Sequence, residues 1–139
     1  MAEFTEAQIK KLVEAAGAID ESLRRLQSVQ ESYDLVGDVG DNTYDGLRVG
    51  QGRLVIVTNM WAYDATSAPT YVRLGFWNRT RYVWFRIVPA PLVLETVEFH
   101  GMLVLSEGMW PAWQGNGITA GDDLHGGLMG YWVRAPRIS

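Results

Sequence analysis

Four closely spaced residues resemble the start of a calcium-binding loop: Asp41, Thr43, Asp45 and Gly46. The twelfth position of such a loop requires a bidentate glutamate, but this chain has Gly52 there. The local cluster of acids could still hold a cation weakly, although a solvated linker rich in turn residues accounts for it better. That cluster comprises Asp34, Asp38, Asp41 and Asp45. The sequence therefore predicts no metal site and no cofactor.

The residues that could carry catalysis are few and scattered. His100 and His125 are the two histidines, and neither has a second ligand at the sequence spacing that metal sites prefer. There is no cysteine, and no nucleophile elbow or paired carboxylates are evident. We expect Asp122 and Asp123 to occupy the turn before the last strand. The sequence predicts a protein that is not an enzyme.

Three glycines, Gly115, Gly117 and Gly121, are spaced like part of a phosphate-binding loop. No Gly-Lys-Ser/Thr follows them, and no helix is expected after them. We interpret them as turn glycines.

The aromatic residues form the most unusual pattern, with six Trp and six Tyr in the chain. Alternation in 71–77 and 82–87, joined by a turn at 78–81, predicts a β-hairpin with one aliphatic face. The opposite face is a candidate contact face, formed by Tyr71, Arg73, Trp77, Tyr82, Trp84 and Arg86. Such a face could stack on sugars or pack against an identical subunit, and we favour the subunit.

The N-terminal segment predicts a long amphipathic helix. Thr5 and Gln8 form a capping box, and Phe4 and Ile9 occupy the positions of a hydrophobic staple. A helix from Glu6 to about Tyr33 would be about 40 Å long. Its apolar seam has heptad spacing and comprises Ile9, Leu12, Ala16, Ile19, Leu23, Leu26 and Tyr33. The seam suits a parallel bundle of copies, with a trimer favoured, but it could instead lie across the rest of the chain.

After Asp34 the sequence changes to short β-branched and aromatic runs separated by turn residues. The run 54–57 predicts a strand buried on both faces. About eight strands without helical periodicity indicate an antiparallel β-sandwich, jelly-roll-like in type. We predict an N-terminal helix at 1–33, an Asp/Gly-rich connector at 34–52 and the sandwich at 53–139.

Composition is that of a folded domain. The 139 residues are 47% hydrophobic and 20% charged, with a net charge of −4. We expect no signal peptide, no membrane span and no nucleic-acid binding.

Several strand and turn segments carry a resemblance to a known class of protein. They are Val57-Thr58-Asn59, Asp64-Ala65-Thr66, Leu103-Val104-Leu105-Ser106-Glu107-Gly108, Thr119-Ala120-Gly121-Asp122-Asp123-Leu124 and Gly130-Tyr131-Trp132-Val133. Over about residues 54–135 the chain resembles small virion proteins of tailed bacteriophages. The resemblance implies an attachment or trimerisation segment followed by a β-sandwich displayed on the particle. It transfers no site residues.

Together these observations predict a non-enzymatic virion structural protein, a homo-oligomeric capsid decoration (cement) or head-fibre protein on the capsid or neck surface. Its expected partners are the major capsid protein or other virion proteins. The alternative is a carbohydrate- or receptor-binding β-sandwich module of a phage tail or neck appendage, with a glycan as partner.

Overall fold

A computed structural model describes residues 5–14 and 27–136. Residues 6–14 form a short helix, α1. The strands that follow are β1 (Gln27–Val36), β2 (Gly40–Asp45), β3 (Arg53–Asp64), β4 (Tyr71–Trp77), β5 (Tyr82–Pro89), β6 (Val97–Ser106), β7 (Trp110–Ile118) and β8 (Asp123–Arg134). Within the described ranges, no helix is both long and apolar enough to cross a bilayer.

The strands form two four-stranded antiparallel sheets. Sheet 1 has the order β1-β8-β3-β6 and sheet 2 has the order β2-β7-β4-β5. Most consecutive strands therefore alternate between the sheets, and only the β4–β5 hairpin stays within one. This strand order is that of an eight-stranded jelly roll. The predicted mainly β, antiparallel sandwich is confirmed.

The long N-terminal helix was a wrong prediction. The capping box does form, since the Thr5 amide donates to Gln8 Oε1 at 2.9 Å and the Gln8 amide donates to Thr5 Oγ1 at 3.2 Å. However, the chain is already a strand at Gln27, and β1 pairs with β8 in unbroken register to Val36. Residues 27–36 also alternate with a period of two, and pairing with β8 overrides the heptad pattern. The seam residues Ala16, Ile19, Leu23 and Leu26 lie outside the described residues.

Tyr33, the last predicted seam residue, lies instead in the core of the sandwich. Its ring stacks on Tyr44 of sheet 2 with centroids 4.4 Å apart and meets the edge of Trp113 at 5.4 Å. Trp113 is 1% exposed, and its Nε1 donates to the carbonyl of Gly127 in sheet 1 at 3.2 Å. The three rings therefore link the two sheets, because Tyr33 belongs to sheet 1 and the other two belong to sheet 2.

The sandwich includes residues that the sequence assigned to the helix segment 1–33 and to the connector 34–52. β1 forms an edge of sheet 1, and β2 forms an edge of sheet 2. Two of the clustered acids, Asp41 and Asp45, are exposed residues of β2, and a third, Asp34, is an exposed residue of β1. Their spacing follows the alternation of strands, in which every second side chain faces solvent.

Replacing Trp113 with Phe should lower the free energy of unfolding by about 1–3 kcal/mol, because the change removes both buried ring volume and the hydrogen bond to Gly127. Chemical denaturation of the purified protein measures this value. Trp61→Phe is the matched control on the outer face of sheet 1, and we expect it to cost less. Equal losses in the two variants would contradict the linking role of Trp113.

Candidate functional site

The outer face of sheet 2 carries a continuous row of rings, which we name the aromatic strip. Trp110 stacks beside Trp77 with centroids 5.3 Å apart, and Trp77 meets the edge of Tyr82 at 5.0 Å. Tyr82 stacks on Trp84 at 5.4 Å. The guanidinium of Arg73 lies 4.4 Å from the Trp84 ring and 5.2 Å from the Tyr71 ring. The strip is thus Tyr71, Arg73, Trp77, Tyr82, Trp84 and Trp110.

Strand register explains why these side chains meet. Trp77 pairs directly with Tyr82 across the hairpin and with Trp110 across the β4–β7 ladder. Residues directly opposite one another in antiparallel strands share a face. Gly75 pairs with Trp84, and a Cβ there would lie 2.6 Å from the Trp84 ring. Gly75 therefore leaves the space in which this indole lies.

One predicted contact residue, Arg86, is not part of the strip. The register shifts between Leu74 and Gly75, so Leu74 pairs with Arg86 while Gly75 pairs with Trp84. Phe85 is the extra residue of this bulge, which reverses the faces beyond it. Ile87, predicted on the aliphatic face, instead pairs with Arg73 and is 50% exposed. Trp110 also belongs to the strip. The hairpin pattern did not include it, because Trp110 lies on a third strand, β7.

Polar groups beside the strip are held in place by hydrogen bonds. Arg73 Nε donates to Gln114 Oε1 at 2.6 Å, and Gln114 Nε2 donates to Thr43 Oγ1 at 2.7 Å. The Tyr82 hydroxyl donates to Asp45 Oδ1 at 2.8 Å. Burial raises the pKa of Tyr82, and this bond and the charge of Asp45 raise it further. The strip therefore presents ring faces alongside fixed hydrogen-bonding groups.

The outer face of sheet 1 has a different character, and we name it the apolar face. Ile56 pairs with Val104 on one side and with Tyr131 on the other. In the next row Leu54 pairs with Val133. The face comprises Leu54, Ile56, Val104, Met129, Tyr131 and Val133, none of which carries a charge.

This face is partly open to solvent. Val104 is 50% exposed and Met129 is 46% exposed. The sequence predicted that the run 54–57 is buried on both faces, but only Val57 is fully buried, while Leu54 and Ile56 are half-buried on the outer side. A strand with the composition of a doubly covered strand therefore has one uncovered face.

Two residues of the predicted seam lie on α1. Ile9 is 51% exposed and Leu12 is 56% exposed, and the neighbouring Val13 is 65% exposed. The apolar stripe of this helix is therefore accessible over its described length.

Pairing of β1 with β8 brings Asp34 next to Asp123 and His125, which lie far from it in the sequence. His125 Nε2 lies 2.9 Å from Asp123 Oδ2, and His125 Nδ1 lies 3.6 Å from Asp34 Oδ1. The His125 ring also stacks on Tyr63 at 5.0 Å. Hydrogen bonds hold the pKa of Asp123 below its usual range. The bond with His125 contributes most, and the bond with Asp34 comes next. The ligand atoms of Asp34, Asp123 and His125 lie within 4.8 Å of one another, so these three residues could hold a metal ion. The sequence offers His125 no second ligand at the spacing that metal sites prefer, but the fold places Asp34 and Asp123 beside it.

Two aspartates, Asp64 and Asp122, are buried next to each other, each 2% exposed. Asp64 Oδ1 accepts hydrogen bonds from the amides of Thr66 and Ser67 at 2.8 and 3.0 Å. Asp122 accepts from the Ser67 hydroxyl and, at 3.2 Å, from the Thr119 amide. The turn predicted for Asp122 is present, since its amide donates to the Thr119 carbonyl at 3.1 Å. Its burial against Asp64 was not predicted.

The two carboxyl groups have opposite pKa shifts. Burial raises the pKa of Asp64, and the hydrogen bond from its protonated form to Asp122 raises it further. Burial alone would raise the pKa of Asp122, but hydrogen bonds from Asp64, Ser67 and Thr119 outweigh burial and lower it. Asp64 Oδ2 is buried and has no hydrogen-bond partner among the described residues, and an unpartnered buried carboxylate oxygen favours the protonated form. One shared proton is the arrangement that two buried carboxyl groups favour.

Replacing Asp64 with Asn should raise Tm at pH 7 by about 4 °C, equivalent to about 1 kcal/mol. The amide can donate to Asp122 without a buried charge. Because the folded-state pKa of Asp64 is raised, its stabilising contribution is complete below the ordinary Asp pKa and is lost as pH rises through the raised value. The gain in the variant should therefore vanish at acidic pH.

Thermal unfolding measured across this pH range tests that expectation. Asp38→Asn, at an exposed position, is the control and should leave Tm unchanged at every pH. A lower Tm for Asp64→Asn at pH 7 would contradict the assignment of the shared proton.

Comparison with known proteins finds no matching family model and no matching curated protein. Solved structures with low similarity to this chain include the Drosophila NLP core, at 9% identity and a TM-score of 0.36 over 76% of this chain and 98% of that chain. Another is the N-terminal cellulose-binding domain of Cellulomonas fimi β-1,4-glucanase C, at 12% identity and 0.34 over 81% and 91%. A third is Eiger TNF from S. frugiperda, at 7% identity and 0.36 over 84% and 96%. Scores this low carry no argument about function.

Proposed function

We propose that this protein is a non-enzymatic, homo-oligomeric structural component of a tailed-phage particle, of the capsid decoration or head-fibre type. The observation that carries the self-association is the apolar face of sheet 1. The assignment to a phage particle rests on the resemblance over about residues 54–135. A jelly roll is also among the folds of viral capsid domains, which is support by fold analogy only.

The apolar face supports association because water contact with it is unfavourable. Contiguous apolar patches are uncommon on monomeric proteins and mark contact sites. Fully burying one side chain of the size of Val or Ile contributes about 1.5–3 kcal/mol to the free energy of association. The row formed by Val104, Ile56 and Tyr131 crosses three adjacent strands, so a partner would cover a surface built on the sheet itself.

Helix α1 supplies a second uncovered surface. Ile9 and Leu12 keep the spacing of a coiled-coil seam, and both are more than half exposed. In the sequence, β1 is the first described strand after this helix, and it belongs to the sheet that carries the apolar face. We therefore propose that helix and apolar face act together in assembly, with a trimer as the favoured state. The major capsid protein or another virion protein is the proposed attachment partner.

A second candidate function is a carbohydrate- or receptor-binding module, and the aromatic strip favours it. The strip lies on sheet 2, whereas the apolar face lies on sheet 1. Copies that associate through sheet 1 would leave the strip accessible to a ligand. This second function is therefore compatible with the first.

The variant Val104→Glu should convert an oligomer of the full chain into monomers, because it places a charge on the apolar face. Ile87→Glu is the matched control, since Val104 and Ile87 are each 50% exposed and lie on edge strands of opposite sheets. It should leave the assembly intact. Light scattering coupled to size-exclusion chromatography measures the molar mass of each variant.

A wild-type chain that remains monomeric at micromolar concentration would overturn the proposal. Deletion of residues 1–26, which ends before β1, tests the helix separately and should weaken assembly without unfolding the sandwich. Circular dichroism confirms that the sandwich is retained.

The second candidate predicts that wild-type tryptophan fluorescence changes on addition of at least one member of a panel of polysaccharides and host-surface glycans. A panel without any response would remove its support and would leave the assembly proposal unaffected.

A further inference from the structure

An open depression of about 510 Å³ lies at the Trp110 end of the aromatic strip. We name it the Arg–Trp depression, and its lining residues are Arg48, Trp77, Arg79, Glu107, Gly108 and Trp110. It combines two indole rings with two guanidinium groups, and the chemistry of each pair indicates what could bind.

Trp77 and Trp110 form one wall of the depression. Their rings are nearly parallel, with an interplanar angle of 13° and centroids 5.3 Å apart. The pairing of these residues across β4 and β7 fixes them at the ends of two adjacent strands. Both are half-buried, so the pair is an ordered platform with an accessible side. Indole faces carry partial negative charge and attract the C–H groups that one side of a sugar ring presents.

The two guanidinium groups converge at Gly108. This glycine has φ +82°, and a Cβ on it would lie 3.4 Å from Arg79 Nε and 3.5 Å from Arg48 Nη2. Arg79 is oriented by Nε donating to the Glu107 carbonyl at 2.5 Å and by Nη2 donating to Ser106 Oγ at 2.7 Å. A Cβ at these distances would make ordinary van der Waals contacts, so both guanidinium groups lie beside the same backbone position.

Backbone hydrogen bonds hold the Arg48 segment against the same turn. The amide of Val49 donates to the Met109 carbonyl at 2.8 Å, and the amide of Gly108 donates to the Val49 carbonyl at 3.0 Å. Arg48 and Arg79 therefore approach each other because the turn between β6 and β7 contacts both of their segments. Their proximity is a property of the fold, even though the residues are distant in sequence.

These two cations lack an acidic partner among the described residues. The ion pairs found there involve His100 and His125 instead. The lining of the depression carries two positive charges and one negative charge, that of Glu107, so it favours an anion although the whole chain has a net charge of −4. Guanidinium groups bind carboxylates with paired, directional hydrogen bonds.

We propose that the Arg–Trp depression binds a carboxylate-bearing sugar residue of an acidic polysaccharide. The sugar ring packs on Trp77 and Trp110, and its carboxylate accepts hydrogen bonds from Arg48 and Arg79. This inference rests on the second candidate function, glycan binding, and names the chemical class of the glycan. It does not depend on self-association.

A nucleic acid could also offer rings and negative charge, but the surroundings favour a sugar. The two indoles already stack against each other, which leaves no gap for a base between them.

Titration of the full chain with four probes tests the inference, with tryptophan fluorescence and calorimetry as readouts. Oligogalacturonate offers ring and carboxylate, and its carboxyl-reduced form offers the ring alone. Poly-L-glutamate offers carboxylates alone, and oligothymidylate offers bases with phosphates. We expect oligogalacturonate to bind at least tenfold more tightly than each of the other three.

The double variant Arg48→Gln/Arg79→Gln should bind oligogalacturonate and its reduced form equally. Arg53→Gln is the matched control, because Arg53 lies 4.2 Å over the Trp132 ring away from the depression, and it should retain the full preference. Thermal unfolding establishes whether the variants are folded. If the double variant does not fold, binding is measured with each single arginine variant instead.

Each other outcome overturns the inference in a recognisable way. If the wild-type protein binds both sugar probes equally, the glycan-binding proposal stands but the proposed preference for an acidic sugar is wrong. Tighter binding of poly-L-glutamate or oligothymidylate assigns the site to another class of anion. Absence of binding to any probe overturns the acidic-sugar site, and glycan binding as a whole then depends on the wider panel.

Discussion

The structure depends on the contact that Trp113 makes across the interior of the sandwich. A jelly roll has two sheets that share no backbone hydrogen bonds, so side chains alone must fix their separation and alignment. Trp113 does this with both its ring and its N–H, since the ring packs with Tyr33 and Tyr44 while Nε1 donates to Gly127. The positions of both outer faces follow from this one interior arrangement.

Local patterns predicted the elements that depend on neighbouring residues. The capping box at Thr5 and the β4–β5 hairpin depend on residues a few positions apart, and both form. Residues 27–33 were assigned to the helix because a heptad seam and a strand alternation fit the same residues, and only pairing with β8 decides between them. The meeting of His125 with Asp34 also depends on distant pairing, which no spacing in the sequence reveals. The bulge at Phe85 lies within the hairpin, but the alternation of residue types in 82–87 gives no sign of it.

The two sheets present different chemistry to solvent although one core supports both. On sheet 1 the central strands carry apolar outward residues such as Ile56 and Tyr131. On sheet 2 the outward positions carry rings with attached polar groups, as with Trp84 beside Arg73. Alternation makes this possible, because outward residues can change without altering the inward ones. The apolar face thus carries the proposed contact between copies, and the aromatic strip carries the proposed glycan contact.

The position of β8 in sheet 1 has a consequence for biosynthesis. β8 lies between β1 and β3 and pairs with both, yet it is the last strand to leave the ribosome. Until it is made, β1 has no partner in its sheet, and the edge of β3 that faces β8 remains open. Closure of the sandwich must therefore follow translation of the whole domain. Nascent chains on neighbouring ribosomes of one mRNA would come into contact while their strand edges are still unpaired.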